Sequence, residues 1–196
     1  MARTPRIPAR EVTGPAGALT KAIARRKLGR VPRSLGVMWQ HRPVLMATAG
    51  LGRKAASWTA CDQELKTFAH MAVAAHVGCS ACLDFGYYEA AHRGLDLRKA
   101  SEVPRWREAD VFTPLERDVM AYAEAVSDTP PSVTDAQSAH LLDRLGPAGL
   151  IELTAWIGFA NLTARTNTAL GIESEGLSDS CALPLAAVAP RTIATA

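Results

Sequence analysis

The chain has 196 residues, 48% of them apolar and 6% aromatic, with a formal net charge of +3. That length allows one domain with a proper core or two small repeats sharing one, and that apolar content excludes a disordered chain. No apolar run reaches the roughly 20 residues that span a bilayer, and no compact apolar segment follows the basic start MARTPRIPAR, so neither a membrane span nor a leader peptide is expected.

The charge is unevenly placed. Residues 1–33 carry nine Lys or Arg against one acid, Glu11, and the remainder carries 13 basic against 18 acidic residues. A basic leader on a mildly acidic body reads as a solvated arm or one lying on an acidic neighbouring subunit. No helix-turn-helix or aromatic-basic pattern accompanies it, so nucleic acid is not an expected partner.

In chain order, residues 1–20 are punctuated by Pro5, Pro8, Gly14, Pro15 and Gly17 and lack an apolar period, which predicts a loose arm. Two short helical patches follow, around Leu35–Trp39 and Val44–Leu51, broken at Pro43. Leu65, Phe68, Ala72 and Ala75 then recur at helical spacing. Asp62 or Thr59 caps that helix, and Gly78 ends or bends it. A new helix is expected from about Cys79 to Arg93, closed by Gly94–Leu95, and a short one from Asp96.

FTPLERDVMAYAEAVSD carries a clear start: Thr113 as N-cap, Pro114 in the first turn and Glu116 closing a capping box. Leu115, Val119, Tyr122 and Val126 form its stripe, and Pro130–Pro131 stops it. Thr134 with Gln137 opens a helix through Leu145. Gly146–Pro147 breaks it, and a longer one runs from about Ala148 to Leu170, ended by Gly171. The last 20 residues read as a tail. No period-2 run appears, so the class is all-α with antiparallel packing.

The stretch GCSACLDFG, residues 78–86, holds two of the four cysteines as C-x-x-C. It has three readings: a redox dithiol, half of a metal site, or two small core residues. A cysteine in the first turn of a helix faces unpaired N–H groups and the positive end of the dipole, which favour the thiolate. Cys82, one turn after Cys79, can close a disulfide with it. Spacing does not say which attacks first. Zinc needs two further ligands, and His76 stands too near in sequence to supply a confident third. No metal and no other cofactor is expected.

A redox pair benefits from a base and a proton relay. His70 lies on the preceding helix, with Lys66 and Thr67 on its face and Glu64 a turn before Thr67; Asp84 follows Cys82 by two. Each also reads as an ordinary hydrogen-bonded residue. His92 and His140 read as surface residues. Cys61 reads as buried, and Cys181 as an incidental thiol in the tail.

The order of these features resembles the carboxymuconolactone decarboxylase-like superfamily, which includes the AhpD alkylhydroperoxidases. The likeness runs from VPRSLGVMWQHRPVLMATAG through LKTFAHMAVAAHVGCSACLDFGYYEAAHRGL and FTPLERDVMAYAEAV to LIELTAWIGFANLTARTNTALGI, about three quarters of the chain. It implies an AhpD-like bundle of six to eight helices, with a basic arm over 1–33, the domain over 34–175 and a tail over 176–196. It also implies homo-oligomers: dimers, trimers or hexamers.

In AhpD-like members the two cysteines reduce peroxides and are recycled by a protein or lipoyl dithiol. Cys79 and Cys82 match them. The family's E-x11-C-x2-C-x3-H motif is otherwise broken, because Thr67 occupies the glutamate position and Gly86 the histidine position. His70, one turn from Thr67, is the expected substitute, with Lys66 as a nearby cation.

The resemblance therefore implies a cytoplasmic thiol-dependent peroxidase or disulfide reductase acting on a peroxide or disulfide, with a dithiol protein as reductant. The alternatives are a redox-sensing or partner-binding member, and a lactone decarboxylase-like enzyme. In the last, Arg165 and Asn167 would clamp a carboxylate, although Arg165 also reads as a partner for Glu152.

Overall fold

The structure, a computed structural model, describes residues 5–181. Eight α-helices appear among them: α1 Gly14–Leu28, α2 Arg33–Met38, α3 Arg42–Ala56, α4 Gln63–Val77, α5 Ser80–His92, α6 Leu97–Glu102, α7 Pro114–Ser127 and α8 Asp135–Leu170. No strand occurs among the described residues. The expected all-α class holds.

Helix α4 sits at the centre. Its sequence is apolar around most of its circumference, which suits a helix covered on several sides. Nine of its residues are buried, and α5, α7 and α8 pack around it. Small residues on α4 (Ala69, Ala72, Ala74) let these neighbours approach, while Phe68, Met71 and Val73 fill the gaps between them.

Local chemistry sets the boundaries. Asp62 caps α4 by accepting the Glu64 and Leu65 N–H groups. Gly78 takes a left-handed conformation (φ 81°), and the Cys79 N–H then donates back to Ala74 O at 2.8 Å. This turn delivers Cys79 to the start of α5. Both expected capping boxes form, at Thr113/Glu116 and Thr134/Gln137. Gly146 (φ 68°, ψ 171°) breaks α8, so its longer half packs at its own angle.

Two expectations are corrected. Residues 14–20, expected in a loose arm, open helix α1. Pro in its first turn, Arg25, Arg26 and Lys27 in its last turn and left-handed Gly29 beyond it favour a helix without an apolar stripe. The arm also makes contacts within its own chain: Tyr88 donates to Lys27 O, and Gln40 to Pro8 O. Secondly, residues 176–181, expected in the tail, pack against α5, because Asp84 offers a buried carboxylate to their N–H and hydroxyl groups. The rest of the expected tail lies outside the described residues.

Candidate functional site: a dithiol at the mouth of helix α5

Cys79 is the N-cap of α5, and its Sγ accepts the Cys82 N–H at 3.2 Å. The cap places both sulfurs on one face of the first turn, where they form a disulfide with Cα atoms 5.3 Å apart. Cys79 is 2% exposed and Cys82 5%. They differ in what they face. Cys82 lines a cavity of about 580 Å³; Cys79 does not reach it.

That cavity lies between α3, α5, α8 and the segment 172–177. Phe85, Trp156 and Phe159 give it aromatic walls, and Leu45 and Leu162 add aliphatic ones. Its polar groups near the sulfurs are few. From α8, the Asn167 side-chain amide lies 3.4 Å from Cys82 Sγ and 3.9 Å from Cys79 Sγ, as donor to both.

From α4, His70 enters the cavity between Phe85 and Trp156, with ring centroids 6.5 and 6.1 Å away. Its ring makes no hydrogen bond among the described residues. Burial lowers its pKa to about 4, so the neutral ring prevails near pH 7. Thr67 also lines the cavity, with its hydroxyl donated to Gln63 O.

The other expected site residues have different occupations. Lys66, one residue from Thr67, does not line the cavity. It is fully buried, bonded to Glu152 at 2.7 Å and donating to Trp58 O at 2.6 Å. Glu152 also accepts the Ala60 N–H, and these bonds outweigh burial to hold its pKa below the ordinary carboxylate value. Lys66 therefore fastens α4 to α8. Glu64 stands outside the cavity at the start of α4.

Asp84 borders the cavity, but its oxygens accept four hydrogen bonds, from Ser174 Oγ, Leu177 N, Ser178 N and Ser178 Oγ. Burial opposes its charge, and these bonds more than offset that, lowering its pKa. A carboxylate so fully engaged holds the C-terminal segment in place and is a poor proton carrier.

Gly86 explains the missing histidine. A Cβ built there would come within 2.5 Å of Met71 Cγ, and Met71 is fully buried. The space a larger side chain needs is filled from α4. Arg165, expected either to clamp a carboxylate or to pair with Glu152, instead donates to Ser127 O and Asn161 Oδ1.

Among the described residues no three His, Cys, Asp or Glu side chains gather to hold a metal ion. Cys61 is buried, and desolvation, followed by the Glu152 charge, raises its pKa to about 11, leaving an inert thiol.

The sequence reading missed the cavity wall on α8. Trp156, Phe159, Thr163 and Asn167 recur at three- and four-residue intervals, so helical periodicity puts them on one face. Asn167 was singled out for a carboxylate; its neighbours are the sulfurs.

Residues 43–125 match the model of the carboxymuconolactone decarboxylase family. YnjA of Escherichia coli (strain K12) is 40% identical over 106 residues, 54% of this chain and 57% of its own, so the match spans just over half of that relative. An alkylhydroperoxidase AhpD core protein from Ralstonia eutropha JMP134 superposes with a TM-score of 0.78 at 16% identity, covering 89% of this chain and 94% of that one. The debrominase Bmp8, in complex with 2,3,4-tribromopyrrole, superposes with a TM-score of 0.76 at 20% identity, covering 89% and 93%. Residues 43–125 thus match the carboxymuconolactone decarboxylase family, and the helical architecture is the one seen in the AhpD core protein.

Proposed function

We propose that the chain is a thiol-dependent oxidoreductase that turns over through Cys79 and Cys82, with an organic hydroperoxide or a disulfide as oxidant. One observation carries this reading: the two sulfurs are already joined at the N-terminus of α5, and one of them borders a cavity large enough for a small organic molecule.

In the reduced protein the Cys82 thiolate attacks the distal peroxide oxygen. The S–O bond forms, the O–O bond breaks, and the departing alkoxide takes a proton to leave as an alcohol. Cys79 then attacks the sulfenic sulfur of Cys82. The disulfide forms and the hydroxyl leaves as water after gaining a proton. An external dithiol returns two electrons and two protons, and is itself oxidised. The helix dipole favours a thiolate at this turn, and the Cys82 N–H, donated to Cys79 Sγ, favours the charge on Cys79 when the disulfide is reopened.

Thr67 and Gly86 cannot relay protons, and Met71 closes the second position. His70 is the remaining titratable ring in the cavity and serves as the proton carrier. With a pKa of about 4 it is neutral near pH 7 and a weak base, so it passes a proton in transit from the thiol to the leaving oxygen and does not store one.

The decarboxylase alternative loses support because Arg165 is engaged by Ser127 and Asn161. A pure redox switch would use the same sulfurs without turnover. The described helices include none long and apolar enough to cross a membrane, and we place the protein in the cytoplasm, where a dithiol reductant is at hand. We also assign it a homo-oligomeric state. Val44, Met46 and Leu51 on α3 and Ile151 and Leu162 on α8 present large apolar side chains outward, Ile151 with 70% of its surface exposed.

The test is peroxide consumption with cumene hydroperoxide and dithiothreitol as reductant. Wild type consumes peroxide catalytically, Cys82→Ser does not, and His70→Ala slows turnover by about tenfold or more. If one equivalent of peroxide removes two thiols without further turnover, the switch replaces the enzyme. Equal rates for wild type and His70→Ala remove His70 from the mechanism.

A further inference from the structure

The chain lacks the carboxylate and imidazole of the motif it resembles, yet the dithiol is not left without a polar partner. On the α8 side, the Asn167 amide is 3.4 Å from Cys82 Sγ and 3.9 Å from Cys79 Sγ, within reach for N–H to sulfur hydrogen bonding. A disulfide sulfur is a weak acceptor and a thiolate a strong one, so a donor placed here gains most when the bond is reduced.

The backbone of Asn167 is occupied separately. Its carbonyl accepts the Gly171 and Ile172 N–H groups, which close α8 at left-handed Gly171. This cap fixes the position of Asn167 without using its side chain.

Carboxylates share the cavity with Cys82: Asp84 on α5 and Glu173 and Glu175 on the C-terminal segment. Asp84 and Glu175, held by backbone and hydroxyl donors, offer a thiolate no cation. The Glu89–Arg93 pair is internally compensated at 2.9 Å. On α4, His70 is uncharged near pH 7. Lys27 on α1 and Arg53 on α3 stand on the exposed rim, where solvent screens them. Lys66, the cation expected beside the sulfurs, does not line the cavity and is held by Glu152.

The geometry points to Asn167 as a catalytic residue: its amide donates to the Cys82 thiolate, stabilises it for attack, and follows the negative charge to Cys79 when the disulfide is reopened. This role rests on the dithiol chemistry proposed above, but concerns the sulfur itself and not the oxidant it meets.

The test separates the two. In reduced protein, the pH dependence of Cys82 alkylation by iodoacetamide, followed by peptide mass spectrometry, gives the thiolate pKa without any peroxide. Asn167→Ala raises that pKa by about one unit and lowers the alkylation rate at pH 7 by about tenfold. Asn167→Asp keeps the shape, replaces the donor with a charge and raises it further. Asn167→Ser, a shorter donor, recovers part of the loss.

Circular dichroism verifies that each variant is folded, and the Asp and Ser variants decide the matter if the Ala variant is not. A pKa within 0.3 of wild type in the folded variants would overturn the assignment. A wild type without peroxide turnover whose Cys82 pKa still depends on Asn167 would overturn the peroxidase reading and leave the thiolate donor standing.

Discussion

Two neighbouring patches along helix α4 treat buried polarity in opposite ways. On one, Lys66 is sealed, with its ammonium held by Glu152 and Trp58 O. On the other, one residue along, Thr67 and His70 open onto a cavity, and the His70 ring makes no hydrogen bond among the described residues. Paired polarity fastens α4 to α8. The unpaired His70 ring in the cavity suits the proton carrier proposed above, because a group engaged by its neighbours cannot also pick up and release a proton. From sequence the two residues looked alike, both polar and both one or three positions from the family's relay site.

Three measurements break or sharpen this contrast. The largest effect belongs to the sealed patch. Lys66→Ala leaves Glu152 buried without its cation and costs about 3–5 kcal/mol in urea unfolding. Lys66→Met with Glu152→Leu recovers only part, because the Ala60 N–H then loses its acceptor. A loss under about 1 kcal/mol in the single variant would show the pair to be no fastener.

The next concerns the contact of α4 with α5. Gly86→Ala drives a Cβ onto Met71 Cγ and costs about 1–3 kcal/mol. Adding Met71→Ala relieves the clash and opens the position that is histidine in the motif the sequence resembles. If Gly86→Ala is neutral, packing does not account for the missing relay.

The smallest is the acid response of the open patch. His70 titrates at about 4 instead of near 6.5, so the unfolded chain takes up its proton first. Stability on this account is complete above pH 6.5 and is lost as pH falls towards and through 4. Discounted for the ring edge that meets the cavity, the contribution is about 1–2 kcal/mol, and His70→Phe removes it from the pH profile of unfolding.

Much of the architecture was readable in the sequence because each boundary carries its own chemistry. Thr113 with Glu116, Thr134 with Gln137, and Gly78, Gly94 and Gly171 all act locally, within a turn or two of where they stand. Cys79 and Cys82 were legible for the same reason. Helix α1 was not, since charge and end effects favour it without an apolar stripe. Partners across the fold were not legible either. Nothing near Lys66 in sequence announces Glu152, 86 residues away, and nothing near Asp84 announces Ser178. Asn167 stood out in sequence, but only the approach of α8 to the first turn of α5 reveals what it touches.

The C-terminal segment has a consequence for how the molecule comes apart. Ser174, Leu177 and Ser178 are tied to Asp84 on α5, while the Glu175 carboxylate accepts the Arg33 and Ser34 N–H groups at the start of α2. One short stretch of chain thus clasps an early helix and a middle one. Loosening this stretch from either helix takes away part of the wall of the cavity beside Cys82, so local opening there widens access to the sulfur.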